Sequence, residues 1–135
     1  MDELQNEIVK NDIQNRGDIL LLLRFFYQKL LNDDSINYIF TDVAKVNLEQ
    51  HFPILANFWE MVIFQKDTYR SNTMQIHMHL NSLTPLTTTH FNTWIKYFNE
   101  TIDEMFEGEK AFIAKQRALS IATSMQIKLA QAKGL

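Results

Sequence analysis

The order of hydrophobic and polar residues predicts a series of helices. The first is expected to begin at Asp18, which can act as its cap, and to run to about Asn32. A helix that is apolar on nearly all sides has to be buried on several of them. Apolar side chains cover most of the surface of this helix, so it is predicted to be central to the fold. Leu20, Leu23, Tyr27, Leu30 and Leu31 form one stripe, and Leu22, Phe25 and Phe26 cover much of the rest.

The middle of the chain predicts three shorter or less regular elements. Residues 36–43 are expected to form a short helix or corner. A long helix should start near Asn47, with Gln50 completing a capping box and a distortion at Pro53. After an irregular stretch over residues 67–73, a brief helical piece is predicted over residues 74–80.

The last third predicts two long helices separated by Gly108. Residues 81–86 are expected to be a loop, and Thr87 to cap a helix that ends near Phe106, with Leu86 packing on Phe91. The final helix is predicted over residues 109–133. Its inward positions are predicted to be Phe112, Leu119, Ala122, Met125 and Leu129. No segment alternates with a period of two, so the fold class is all-α.

Composition narrows the class of protein. The chain has 135 residues, of which 46% are hydrophobic, which fits one domain with a sizeable core. A net charge of −3 argues against nucleic-acid binding. The apolar run Ile19–Leu23 is too short to cross a membrane, and the acidic start of the chain is unlike a signal peptide. We therefore expect a cytoplasmic protein with no membrane partner.

His51 and His77 are the candidate residues for metal chemistry. The chain has no cysteine, and its histidine spacing, acidic pairs and lack of a glycine-rich loop do not match zinc, calcium or phosphate sites. One imidazole on a haem iron, with apolar walls and hydroxyl or indole donors opposite, suits the residues present. From periodicity alone, however, a partly exposed polar residue on a short helix is the simpler interpretation of His77.

A wider set of residues resembles the truncated haemoglobins, and within them the third group. The match spans roughly residues 20 to 128, and Gly-Gly pairs of the kind that flank helices in the other groups are absent from the sequence. Thr73 stands where the family often has proline, and the segment between His77 and Trp94 is longer than in some relatives. The matching positions are 26–29, 39–40, 51–53, 57–59, 69–72, 74, 77, 90–91, 94, 117–118 and 121–122.

The resemblance implies a two-over-two helical sandwich around haem b, iron protoporphyrin IX. The whole chain, 1–135, would be a single globin domain, with residues 1–17 as an N-terminal extension or short helix and residues 18–133 as the globin core. It implies that His77 is the iron ligand. His79 is the competing residue, but the apolar neighbours Met78 and Leu80 favour His77.

The same resemblance assigns roles around the cofactor. Tyr27, His51 and Trp94 would form the distal side that faces a bound gas, with His51 as a gate or a sixth ligand. The residues expected to contact the cofactor are Phe40, His51, Leu55, Met74, His77, Trp94 and Phe98. The resemblance does not identify the partners of the haem propionates, and Lys45 and Arg70 are expected near them only from their place near the rim of the predicted pocket.

These assignments predict a protein that reversibly binds dioxygen or another diatomic ligand, such as nitric oxide or carbon monoxide. Two alternatives stay open within haem chemistry. One is a nitric-oxide dioxygenase or peroxidase-like enzyme served by an unidentified reductase, and the other is an electron-transfer protein with His51 and His77 both on iron. A cofactor-free helical interaction module is the alternative outside it.

Overall fold

The computed structural model describes residues 9–67, 69 and 72–133, without the side chains of Met74, Ala132 and Lys133. Its described residues form helices and no strands, so the all-α prediction is confirmed. None of these helices has the length and apolarity needed to cross a membrane. The helices are α1 (Arg16–Leu31), a π-helical turn (Ile39–Val43), α2 (Leu48–Phe64), α3 (Thr73–Leu83), α4 (Thr88–Met105) and α5 (Glu109–Lys133).

Two helix pairs make up the body of the protein. Helix α1 packs on α2 and α4 packs on α5, and the pairs meet where α1 contacts α4 and α2 contacts α5. Phe26 of α1 and Phe98 of α4 lie at the centre, fully buried, with ring centroids 5.2 Å apart. Helix α3 lies outside the two pairs and has α5 as its main helical neighbour. The result is the predicted two-over-two sandwich.

Side-chain caps decide where four helices begin. Asn15, Asn47, Asn72 and Thr87 each accept a hydrogen bond from the backbone N–H three residues further on. The predicted caps Asn47 and Thr87 are confirmed, but the predicted capping box at Asn47 is wrong, because the Gln50 side chain makes no return bond to the Asn47 backbone. The prediction for α1 is wrong by one turn, because Asn15 is the cap and Asp18 lies in the first turn. A carboxylate there interacts favourably with the helix dipole.

The start of α5 is capped by a residue from the other end of the chain. The Asp12 carboxylate accepts hydrogen bonds from the backbone N–H groups of Lys110 and Ala111, each at 2.8 Å. Gly108, with φ of 146°, lies so close that an added Cβ would be 2.6 Å from Asp12 Cγ. Ile13 is buried in the core. Residues 10–13 of the predicted N-terminal extension therefore pack on the α4–α5 junction, and residues 1–8 lie outside the described part.

Two sequence predictions in the second half of the chain are wrong. The loop predicted from residue 81 is shorter, because the last residue of α3 is Leu83. Thr84, which precedes Pro85, is its C-cap. On α5, Phe112 and Leu119 are 58% and 51% exposed. They lie one position beyond a buried stripe whose small residues let α5 approach its neighbours closely. This stripe consists of Ala111, Ala114 and Ala118, followed by the correctly predicted Ala122, Met125 and Leu129.

Candidate functional site

A cavity of about 570 Å³ opens between the helix pairs and α3. This volume falls within the range of roughly 300–1,000 Å³ that is usual for sites of small molecules and cofactors. Its walls are mostly apolar, and a few polar groups converge on it, which is typical of a binding site. The lining includes Leu23, Phe26, Ile36, Ile39, Phe40, Leu55, Phe58, Trp59, Leu80, Leu86, Phe91, Ile121 and Met125 among its apolar members, and Tyr27, His51, Tyr69, Thr73, His77, His90 and Trp94 among its polar or aromatic donors.

His77 enters the cavity from α3. Its Nδ1 lies 2.8 Å from the carbonyl oxygen of Thr73, one turn earlier on the same helix. Because a carbonyl can only accept, Nδ1 carries the proton and donates it, which leaves the Nε2 lone pair available. Burial lowers the pKa of His77, against the opposing effect of the Thr73 hydrogen bond, so the ring is neutral near pH 7. His79 is exposed and does not line the cavity.

Tyr27 and His51 form a hydrogen-bonded pair in the same cavity. The Tyr27 hydroxyl lies 3.2 Å from His51 Nε2. Burial raises the pKa of Tyr27 far above its usual range, so the phenol keeps its proton. Burial, and then the charge that His77 would carry, lower the pKa of His51. Both imidazoles, those of His51 and His77, line this one cavity.

The predicted aromatic contacts divide into wall residues and a supporting residue. Phe40 lines the cavity and packs edge-on against Tyr27, with ring centroids 5.4 Å apart. Trp94 also lines it. Phe98 is fully buried and is not among the lining residues. It stacks on Trp94 at 5.4 Å and on Trp59 at 4.8 Å, so it supports the wall from behind.

The mouth of the cavity combines exposed apolar and polar side chains. Ile54 of α2 and Ile76 of α3 are 44% and 54% exposed although both line the cavity. Lys45, Asn47 and Gln50 line the same opening. Two further predicted residues cannot be placed, because Arg70 and the side chain of Met74 lie outside the described residues.

Sequence reasoning missed several polar members of the site. The Tyr69 hydroxyl bonds to the Thr73 hydroxyl, and both residues line the cavity. His90 is structural, as expected, because its Nδ1 accepts from the Thr87 N–H in a capping box. Its Nε2 also lies 3.0 Å from the Tyr38 hydroxyl, and its ring lines the cavity. Thr73 was predicted to lie in an irregular stretch, and the local signal that could have placed it on α3, one helical turn before His77, is the capping side chain of Asn72.

Comparison with known proteins matches this arrangement to one family. The chain is 26% identical over 121 residues to a Group 3 truncated hemoglobin of Campylobacter jejuni, across 87% of this chain and 93% of that protein. The crystal structure of a group III truncated hemoglobin from the same species superimposes with a TM-score of 0.79 at 25% identity, covering 90% of this chain and 95% of that one. The predicted resemblance is confirmed. No family model matches the chain.

This likeness in sequence and fold supports a globin-type haem protein, and the cavity can be tested against that group. The described residues contain no cluster of three or more histidine or acidic side chains that could hold a bare metal ion. They offer one neutral imidazole with a free Nε2, surrounded by apolar walls, as a haem iron requires. A flat apolar group would also cover the exposed Ile54 and Ile76. The residues present fit a haem.

Proposed function

We propose that this protein holds haem b through His77 and reversibly binds dioxygen on the opposite side of the cofactor, next to Tyr27, His51 and Trp94. The observation that carries the proposal is the hydrogen bond from His77 Nδ1 to the Thr73 carbonyl. It directs the free Nε2 lone pair away from its own helix in a cavity that also contains a second, separately bonded imidazole. Histidines that bind a metal through one ring nitrogen usually donate a hydrogen bond of this kind from the other ring nitrogen.

The remaining residues would contribute binding and orientation. The haem, when bound, supplies an iron atom that coordinates diatomic gases. Phe40, Leu55 and the apolar lining exclude water from its faces. Lys45, at the cavity mouth, would meet a propionate carboxylate. Neutral phenol and indole groups can donate hydrogen bonds, so Tyr27 and Trp94 would stabilise the partial negative charge on bound dioxygen.

The pair of Tyr27 and His51 supports a gate in preference to a second iron bond. His51 Nε2 already has a partner in the Tyr27 hydroxyl, and His51 is half-buried between the cavity and solvent. An outward swing of His51 would open the cavity and free the Tyr27 proton for an incoming ligand. A permanent bond from His51 to iron would instead require its hydrogen bond with Tyr27 to break.

The first test is the visible spectrum of the reduced protein after reconstitution with haem b. A five-coordinate ferrous form that takes up one carbon monoxide per haem is expected. A colourless protein that cannot be reconstituted would contradict the haem assignment and favour the helical interaction module. A six-coordinate ferrous form with no free position for gas would favour the bis-histidine electron-transfer protein.

The second test concerns the Tyr27 hydroxyl. Tyr27→Phe removes one donor to bound dioxygen and leaves the ring, so we expect faster dioxygen dissociation, by roughly tenfold if the lost hydrogen bond contributes about 1.4 kcal/mol. Stopped-flow release of dioxygen measures the rate. Tyr97→Phe is the matched control, because the Tyr97 hydroxyl bonds to Asp33 and is not among the cavity-lining residues. Equal rates in the two variants would remove Tyr27 from the proposed role.

A further inference from the structure

The Arg16 side chain acts as a clamp on the back of α2, which is the side of this helix that lies away from the cavity. Its guanidinium donates to Glu60 Oε1 at 2.6 Å, to Asn57 Oδ1 at 2.8 Å and to the Pro53 carbonyl at 3.2 Å. The second Glu60 oxygen accepts from Lys66 at 3.3 Å. Glu60 is a buried carboxylate with only 5% of its side chain exposed. One side chain at the start of α1 therefore spans two turns of α2.

The opposite charges of Arg16 and Glu60 make this contact costly to break. Burial raises the pKa of Glu60, but the hydrogen bonds and charges of Arg16 and Lys66 outweigh burial, and the net pKa is lowered. The carboxylate is therefore ionised at neutral pH. A buried ionised group that loses a partner is strongly destabilised, so the position of Arg16 and the position of this part of α2 depend on each other.

The clamped side of α2 is opposite the side that faces the cavity. An α-helix turns about 100° per residue, so Glu60 lies roughly half a turn around the axis from His51, and Pro53 and Asn57 fall near Glu60. His51 and Leu55 line the cavity. Between these two edges runs the buried stripe of α2, made of Phe52, Ala56, Trp59 and Ile63. A roll of α2 on this stripe would move the two edges in opposite directions.

Pro53 lies at the junction between the turn that carries His51 and the part of α2 that Arg16 holds. Proline has no N–H, so the usual hydrogen bond from residue 53 to the Glu49 carbonyl cannot form. The first turn of α2, which carries His51, is therefore joined to the rest of the helix by a weakened hydrogen-bond ladder. Arg16 holds the Pro53 carbonyl at this joint.

We propose that Arg16 is a positioning residue that sets the roll of α2 and thereby holds His51 over the cavity, in hydrogen-bonding distance of Tyr27. The inference rests on the proposed function, because its consequence is control of access to the distal side of the haem. Arg16 itself touches neither cofactor nor gas. It acts through its three contacts on α2, with Pro53, Asn57 and Glu60.

The test uses the full-length haem protein with carbon monoxide as the probe. Arg16→Met removes the clamp, and Arg16→Lys keeps a cation next to Glu60 but loses the forked contact with Pro53 and Asn57. Lys66→Met is the matched control, because it removes the other cation from the same carboxylate and leaves the contacts of Arg16 intact. The infrared C–O stretch reports the charges and donors near the ligand, and flash photolysis gives the association rate of carbon monoxide.

We expect Arg16→Met to redistribute the C–O stretching bands and to speed carbon monoxide association several-fold, because His51 leaves the cavity more often. Arg16→Lys should show an intermediate change, and Lys66→Met should lower thermal stability with the wild-type bands and rate. Unchanged bands and rate in both Arg16 variants would overturn the inference and leave the proposed function standing. Failure of the wild-type protein to bind haem would contradict both. If Arg16→Met does not fold, Arg16→Lys alone decides.

Discussion

The helices that carry His51 and His77, α2 and α3, are anchored very differently. Helix α2 buries Phe52, Ala56, Trp59 and Ile63 against the rest of the protein, and Arg16 and Lys66 hold its back through Glu60. In α3, no described side chain is fully buried, and the cavity-lining Ile76 is 54% exposed. His51 therefore lies on a helix that the fold itself holds in place. His77, the proposed iron ligand, lies on a helix whose Ile76 and Leu80 line the cavity.

Under the proposed function, this contrast predicts that a bound haem would complete the side of the cavity that α3 forms. A cofactor that filled the cavity would add contacts for Ile76 and Leu80 and a bond to His77, all of them on α3. Helix α2 gains contacts at one edge only, since its buried stripe and its clamp are already satisfied. Cofactor binding and the order of α3 should therefore be linked.

The largest expected effect is on backbone protection in α3. Hydrogen exchange followed by mass spectrometry should show that haem slows exchange in residues 73–83 much more than in residues 48–64, because only the first segment depends on the cofactor for its packing. The haem-free protein is prepared by acid extraction of the reconstituted one. Equal protection of the two segments in both forms would show that α3 is anchored independently of the cofactor.

A pair of matched cap substitutions gives the next largest effect. Asn47→Ala and Asn72→Ala each remove an asparagine that accepts from the backbone N–H three residues on, a loss of about 1 kcal/mol at a helix start. In the haem-free protein, Asn47→Ala should lower the free energy of global unfolding, whereas Asn72→Ala should act locally on α3. Urea denaturation and hydrogen exchange separate the two effects.

The cap experiment would go against the comparison if the two substitutions lowered the midpoint of urea unfolding equally in the haem-free protein. In the haem-bound protein we expect their effects to become similar, because the cofactor couples α3 to the remaining core. Asn72→Ala should then also weaken haem retention.

The smallest expected effect is a loss of stability at low pH through Asp33, which lies outside α3. Asp33 accepts hydrogen bonds from Ser35 and from the Tyr97 hydroxyl of α4, and these bonds, that of the Ser35 hydroxyl first, lower the pKa of Asp33 from 3.8 to about 2. Because the folded-state pKa is lowered, this carboxylate stabilises the fold above about pH 3.8 and loses that contribution as the pH falls to about 2.

Asp33→Asn tests that contribution. The difference in thermal midpoint between wild type and variant should be constant above pH 4.5 and should shrink as the pH falls toward 2. Helix α3 contains no carboxylate, so hydrogen exchange in residues 73–83 should not show this difference. A difference in midpoint that stays constant down to pH 2 would mean that the bonds of Asp33 do not depend on its charge.

Sequence reasoning was most successful where the signal is local. The caps Asn47 and Thr87 were predicted because cap chemistry depends on residues within one turn, and the start of α5 was predicted from Gly108. It failed for the Asp12 cap, since nothing local links residue 12 to residues 110 and 111. It also placed Phe112 and Leu119 on the inner face of α5, where the neighbouring Ala111 and Ala118 are the buried residues.

The site shows the same division. Trp94 and Phe98 are four residues apart on one helical stripe, and the sequence cannot tell that the first lines the cavity and the second supports it from behind. The choice of His77 over His79 depended on the family resemblance, because two residues along a helix separate the faces but do not identify the inner one. The contacts of Arg16 with α2 join residues 37 to 44 positions apart and were not predicted.

The most direct measurement is the haem content of His77→Ala compared with His79→Ala after identical reconstitution. His79 is exposed on the same helix and serves as the matched control. We predict that His77→Ala loses tightly bound haem, that added imidazole restores a five-coordinate ferrous spectrum, and that His79→Ala is indistinguishable from wild type. Wild-type haem binding and an unchanged carbon monoxide spectrum in His77→Ala would contradict the account.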